Sequence, residues 1–250
     1  MSAPRLSLVV PTRNERENIE PLVAEIRAAL VGIPWELVVV DDSTDGTDAL
    51  VARTAAADPA IRLLHRPENA GGLAGAVVAG FALARGDYVC VLDGDLQHPP
   101  ARIPALLAEA ERTGADIIIA SRYRPGGSAG GLAGPLRRFY SWGLKQLTRA
   151  CFPRRLAGIT DPLGGFFLVR RAVLQGVALR PVGYKILLEI LVRCPWRRAA
   201  EVPYRFRPRH AGSTKADLRQ GLRFLRHLGI LLWDCSPALA PLRTLIRRPR

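Results

Sequence analysis

Lysine is nearly missing from this chain. Lys145, Lys185 and Lys215 are the whole complement, so 33 of the 36 basic residues are arginine. Acidic residues are also few, 22 in all, which leaves a formal net charge of +14. That excess needs an anionic partner, and nucleic acid, an anionic membrane face and a phosphorylated substrate all qualify. Preference for arginine over lysine is also what a GC-rich genome produces, so it has little functional weight. Cysteine is scarce too. Cys90, Cys151, Cys194 and Cys235 form no CxxC and no metal-ligand spacing, which excludes a disulfide scaffold and reads as thiols in a reducing compartment. His65, His98, His210 and His227 form no spaced cluster. Long apolar runs are absent. Ala70–Ala84 is uncharged but short and rich in glycine, and Leu228–Leu245 is broken by Asp234, Pro237, Pro241 and Arg243. Neither reaches the roughly 20 residues of a spanning helix, so any membrane contact is expected to be peripheral. Met1–Arg5 leads straight into a strand-like run, and no secretory leader is expected.

What is present is an ordinary globular composition. With 250 residues and 48% apolar content, the chain can bury one substantial core, or one core and a small appendage. Leu6–Val10, Glu36–Val40, Ile61–Leu64, Tyr88–Leu92 and Asp116–Ala120 are short runs with little polar alternation, the look of strands covered on both faces. Helical spacing lies between them, as in Ile19, Leu22, Val23, Ile26 and Leu30, where Asn14 with Glu17 resembles a capping box. The expected fold is α/β, with a central, mostly parallel sheet flanked by helices. The second half opens on a Gly-rich loop at 121–135. Helices are expected over Leu136–Arg149, Tyr184–Arg193 and 216–233, and a strand over Ala200–Phe206.

Four polar clusters follow expected strands: Pro11–Glu15, Asp41–Thr47, Asp93/Asp95/Gln97 and Ser121-Arg122. Each is also what a turn or helix cap would contain. Four at one end of successive strands favour a shared ligand site, because open α/β sheets bind ligands at the carboxyl ends of their strands. Asp93 and Asp95 are two apart after an apolar strand, so both carboxylates can converge. They read either as a polar turn or as hard oxygen ligands for Mg²⁺ or Mn²⁺ shared with a diphosphate.

The segments VVPTRNERENI, VVVDDSTDGT, VLDGDLQHPP and ASRY resemble family 2 glycosyltransferases of GT-A (Rossmann-like) fold. DPLGGFFLVRRAVL, GYKILLEILVR and VPYRFRPRHAGSTK resemble the dolichyl/polyprenyl-phosphate mannose synthases within that family. The resemblance covers about residues 5–215. It implies a glycosyltransferase domain over 1–215, followed by a basic amphipathic helix and tail at 216–250 that can meet a membrane surface. Pro11, Asn14, Glu15, Asp41, Asp42 and Asp93 would bind the nucleotide-sugar donor. Asp93, Asp95 and Gln97 would hold the divalent cation. Arg122, Arg137, Arg138, Arg209 and Lys215 would bind phosphates, and Asp95, Arg122, Arg209 and Lys215 form the implied catalytic set. The chain departs from the family at Arg13, where an aromatic is common, at Gly94, which replaces a common alanine, at Thr214, and in the Pro-Arg-Arg insertion at 153–155 and Gly164-Gly165.

The chemistry agrees with the resemblance. A lipid monophosphate already carries about −1.5 to −2 charge near neutral pH. It therefore needs no general base, unlike an alcohol. The site must instead gather two anions against their repulsion, which calls for a cation and several arginines. The expected reaction is inverting transfer of a sugar, mannose from GDP-mannose, to polyprenyl or dolichyl phosphate. UDP-glucose or a UDP-amino sugar is the rival donor. The expected location is cytoplasmic, peripheral on the inner face of the cytoplasmic membrane, and a membrane partner subunit stays open. An Arg-rich nucleic-acid binder is the rival from another class. It has no recognised motif or basic–aromatic platform and leaves the aspartates unexplained, so no nucleic acid is expected. Leu218, Leu222, Leu225 and Leu232 alternate with Arg219, Arg223 and Arg226, which suits an interfacial helix or an ordinary core-packed one.

Overall fold

The computed structural model describes residues 3–130, 135–180, 182–211 and 218–235, without the side chains of 135–141 and 218–220. Strands and helices alternate through the first half: β1 (Leu6–Thr12), α1 (Arg16–Ala29), β2 (Trp35–Asp41), α2 (Thr47–Ala57), β3 (Ile61–His65), α3 (Gly72–Leu83), β4 (Tyr88–Val91), α4 (Ile103–Thr113) and β5 (Ile117–Ser121). The second half adds α5 (Pro135–Cys151), β6 (Phe167–Arg170), α6 (Arg171–Leu174), α7 (Ile186–Arg193), β7 (Ala199–Pro203) and α8 (Leu218–Cys235). All five strands expected in the first half are present, within a residue or two of their apolar runs.

The seven strands order as β3-β2-β1-β4-β6-β5-β7. Every pairing is parallel except those of β6, which runs antiparallel to both β4 and β5. Strand alternation then divides the core. Leu6, Leu8 and Val10 of β1 face α1 and α4, where Ile19, Leu22, Ile26, Ile103 and Leu106 pack. Val9 faces the other side with Val77 of α3, Leu187 and Leu191 of α7, and Phe224, Leu228 and Leu231 of α8. Both faces are therefore covered, which is why the strands carry so little polar alternation. The approach of α3 is close. A Cβ on Gly80 would lie 2.4 Å from Val9 Cγ1, so only glycine lets the helix rest directly on the sheet.

Three expectations need correction. The capping box at Asn14 and Glu17 is not formed: Glu15 is the N-cap, and no side chain caps the helix. Asn14 instead sits at φ 56° and spans to the neighbouring loop, accepting from Thr44 N at 3.0 Å. α7 begins at Ile186 rather than Tyr184, which leaves Tyr184 and Lys185 ahead of the helix. β7 ends at Pro203, and the chain then bridges to Ser128 through Arg205. α8 is amphipathic as expected and contributes Phe224, Leu228 and Leu231 to the core. Among the described residues no helix is long and apolar enough to cross a membrane.

Candidate active site

The parallel strands end together, and the loops leaving them enclose a cavity of about 360 Å³. Pro11, Glu15, Asp42, Asp93, Asp95, Gln97, Arg122 and Arg209 all line it. These residues come from five separate segments, so the polar clusters at the strand ends do converge. Asp41 stands behind the lining, and Asn14 is exposed beside it. Asp41 is fully buried and accepts from Thr12 Oγ1 at 2.7 Å, Ser43 Oγ at 2.5 Å and Ser43 N at 3.1 Å, with His65 Nδ1 at 3.1 Å. It braces the loops after β1 and β2. Arg137 and Arg138 lie in the part of α5 whose side chains are outside the description, and Lys215 lies outside the described residues.

At one end Asp42 is gripped by Arg66, whose Nε and Nη2 donate at 2.8 and 2.6 Å. With its amide oriented to suit its neighbours, Asn69 donates to Asp42 Oδ2 at 2.7 Å and accepts from Arg13 Nη1 at 2.9 Å. Arg13, the departure from the family pattern, is thus held as part of this wall.

At the centre are the two aspartates. Burial pushes the Asp93 carboxyl up to about 6, against the pull of Lys185 and Arg209. Asp95 is raised as well, by burial and then by the Asp93 charge. Arg209 answers this crowding. Its Nη2 lies 2.8 Å from Asp95 Oδ2 and its Nη1 donates to Glu15 Oε1 at 2.9 Å. Gln97 donates its backbone N–H to Asp95 Oδ1 at 3.0 Å and its amide to Arg207 O at 3.1 Å. The turn therefore fixes Asp95 from within, while residues more than a hundred positions later hold it from above.

His98 has a role that its place in the sequence does not reveal. It is 2% exposed, packed against Phe166 at 5.3 Å, Phe206 at 5.6 Å and Tyr204 at 5.9 Å between ring centres. Its Nδ1 accepts from Asp93 N at 3.0 Å, which assigns the ring proton to Nε2. Burial lowers the imidazole to about 4, so it stays neutral near pH 7. It acts as a rigid peg under Asp93. Gly165 closes the other side. A Cβ there would meet His98 Cε1 at 3.1 Å and Asp93 Oδ2 at 3.5 Å.

Arg122 is placed against the cavity but already has a carboxylate. Asp161 takes its Nε and Nη2 at 2.8 Å each, and the two side chains are only 9% and 1% exposed. Burial opposes charge on both, and the bidentate pairing overcomes it, raising Arg122 and lowering Asp161. Lys185 also lines the cavity, its Nζ donating to Leu163 O at 2.8 Å. Asp161, His98 and Lys185 are the functional candidates that sequence reasoning misses, and Arg223, expected only on the basic stripe of an interfacial helix, also lines the cavity. GYKILLEILVR and DPLGGFF contain two of them, Lys185 and Asp161, but nothing in their spacing gives either a role.

The glycosyl transferase family 2 sequence profile matches residues 7–177. The chain belongs to that family. As a family 2 glycosyltransferase it has relatives that align over most of its length. It is 39% identical to a dolichol-phosphate mannosyltransferase of Pyrococcus furiosus over 92% of this chain, and spans 64% of that longer protein. It is 34% identical to a polyprenol monophosphomannose synthase of Mycolicibacterium smegmatis, over 90% of this chain and 87% of the relative. Among solved structures it resembles glucosyl-3-phosphoglycerate synthase of Mycobacterium tuberculosis, solved with Mn²⁺, UDP-glucose and phosphoglyceric acid. The TM-score is 0.67 at 22% identity, covering 93% of this chain and 79% of that one. The fold of this family 2 glycosyltransferase is accordingly GT-A-like.

Proposed function

We propose that this glycosyltransferase moves a mannosyl group from GDP-mannose to a polyprenyl or dolichyl phosphate at a membrane face, with inversion at the anomeric carbon. The observation that carries the reading is the charge pattern of one cavity. Two carboxylates, the partly open Asp93 and the buried Asp95, stand beside Arg209, Lys185 and Arg122, cations that can gather the anions of donor and acceptor. His98 is neutral and its Nδ1 is already taken by Asp93 N–H. Such a site suits an acceptor that needs no deprotonation, as a phosphate monoester does not. The names of the Pyrococcus and Mycolicibacterium relatives point the same way.

The residues fit a divalent cation by the chemistry of their donors. The Asp93 charge raises the cost of ionising Asp95, and a hard cation relieves that repulsion. Among the described residues there is no ready-made cluster of three His, Cys, Asp or Glu ligands. Asp93, Asp95 and the Gln97 amide oxygen would hold Mg²⁺ or Mn²⁺, leaving positions for donor oxygens. When bound, the cation supplies charge neutralisation on the donor diphosphate. The chain's own groups do the rest. Arg209 shifts from Asp95 and Glu15 toward phosphate, His98 keeps the Asp93 loop rigid, and Asp42 with Asn69, Arg66 and Arg13 forms the wall for the nucleoside. Catalysis is then mostly positioning and electrostatics.

Membrane contact is proposed for α5 and α8. Trp142 and Leu147 on the first are 51% and 42% exposed, and Leu222 and Leu225 on the second are 65% and 48% exposed. Exposed apolar side chains on basic helices suit an interface position. The experiment that tests the reading is incubation with Mg²⁺ or Mn²⁺, polyprenyl phosphate, and labelled GDP-mannose or UDP-glucose. Label from GDP-mannose is expected in organic-extractable lipid. Label from UDP-glucose alone would replace the donor, and no lipid-linked label from either would end the acceptor reading.

A further inference from the structure

Arg223 stands apart from the other arginines of the cavity. It comes from α8 rather than from the sheet edge, and its stem passes Gly183 at the rim, 3.8 Å from where a Cβ on Gly183 would sit. Its neighbours along the helix fix its direction. Phe224 and His227 are 2% and 1% exposed, and His227 Nε2 lies 3.0 Å from the buried Glu189 carboxylate of α7. Leu222 and Leu225 point outward. One turn of helix thus sets apolar side chains on the outside and a guanidinium on the cavity rim.

The ion pairing of this guanidinium differs from that of its companions. Arg122 is neutralised by Asp161, and Arg209 is shared between Asp95 and Glu15. Among the described residues no ion pair engages Arg223. An exposed arginine without a carboxylate partner gives up only water when it takes a phosphate, whereas a paired one must also give up its partner. Arg223 lines the same cavity as the aspartates, on the side that α8 supplies.

We propose that Arg223 is an acceptor-phosphate residue, capturing the isoprenyl phosphate at the cavity mouth while Leu222 and Leu225 lie against the lipid. The proposal rests on the acceptor reading above. It makes α8 a contributor to the site as well as a surface element, with the Glu189–His227 contact as the positioning pair.

The test uses the full chain, Mg²⁺, whichever nucleotide sugar the wild type uses, and a short-chain, water-soluble isoprenyl phosphate without vesicles. Arg223→Ala is expected to raise KM for that acceptor about 10- to 100-fold, the range for a lost bond to a charged group. KM for the nucleotide sugar and the unfolding midpoint stay at their wild-type values. Arg223→Lys recovers part of the loss. Arg112→Ala, which removes a positive charge from an exposed pair with Glu109 outside the cavity, changes neither KM. A defect that appears only with polyprenyl phosphate in phosphatidylcholine–phosphatidylglycerol vesicles overturns the proposal and makes Arg223 a bilayer headgroup contact. Unchanged kinetics, or equal rises in both KM values, overturn it while leaving the acceptor reading standing. A wild type that transfers sugar to no isoprenyl phosphate removes both.

Discussion

Replacing Asp161 by alanine should unfold this protein far more readily than its position in a loop suggests. The carboxylate accepts from Arg122 Nε and Nη2 at 2.8 Å and from Arg122 N at 3.2 Å. Removing it strands a guanidinium whose side chain is 9% exposed. Breaking a buried pair from one side costs about 3–5 kcal/mol, because the remaining charge stays uncompensated. For a chain of 250 residues the unfolding entropy is about 0.5 kcal/mol/K, so the midpoint should fall by about 6–10 °C. Thermal unfolding followed by circular dichroism measures it. Arg122→Met with Asp161→Leu removes both charges and is expected to return to within about 1 kcal/mol of wild type. That double variant is the more informative one, since it should be stable yet transfer no sugar. An Asp161→Ala variant within about 1 kcal/mol of wild type would refute the reasoning, since Arg122 would then be solvated rather than pinned.

Three other outcomes follow from the geometry. The cation-free Asp93→Asn variant should be more stable than wild type at pH 8 and approach equality with it below about pH 3.8. Asp93 is raised from 3.8 to about 6 in the folded state, so its ionisation penalises the fold above pH 6, and the penalty vanishes below its unfolded value. The full effect would be about 3 kcal/mol. With 33% of the side chain open to solvent, a gain of roughly 1–2 kcal/mol is expected in urea unfolding. Gly80→Ala forces a methyl to 2.4 Å from Val9 Cγ1, and should cost about 1–3 kcal/mol by the same measurement. Leu222→Asp with Leu225→Asp should abolish cosedimentation with anionic vesicles and leave the unfolding midpoint within about 1 kcal/mol, because both side chains already face outward.

The sheet is legible because its strands are buried on both faces, and a short uninterrupted apolar run such as Leu37–Val40 is what burial on both faces demands. Asp93 and Asp95 are legible because a strand end is a fixed place in this fold class. Asn14 misleads because two partners compete for its amide, its own helix and the loop at Thr44, and only the second is remote in sequence. Asp161 looks like a turn residue. Its pairing with Arg122, 39 positions earlier, depends on the path of β6 and has no local signature. His98 sits inside a recognisable motif without a function of its own, since what defines it are Phe166, Tyr204 and Phe206 from the far half of the chain. Arg223 is one of a basic stripe in the sequence, and only the docking of α8 on α7 sets it at the rim.

The single antiparallel strand has a consequence for biosynthesis. β5 pairs only with β6 and β7, both of which follow it in the chain, and the outer edge of β4 waits for β6. A nascent chain ending near residue 120 therefore presents the outer edge of β4 and both edges of β5, rich in valine and isoleucine, the sort of template on which other chains add. No boundary after the first 120 residues would yield a self-sufficient unit. Until Phe167–Arg170 has emerged and turned back between its neighbours, there is half a sheet and no pocket. Synthesis of this protein thus passes through a window of aggregation risk that only its second half can close.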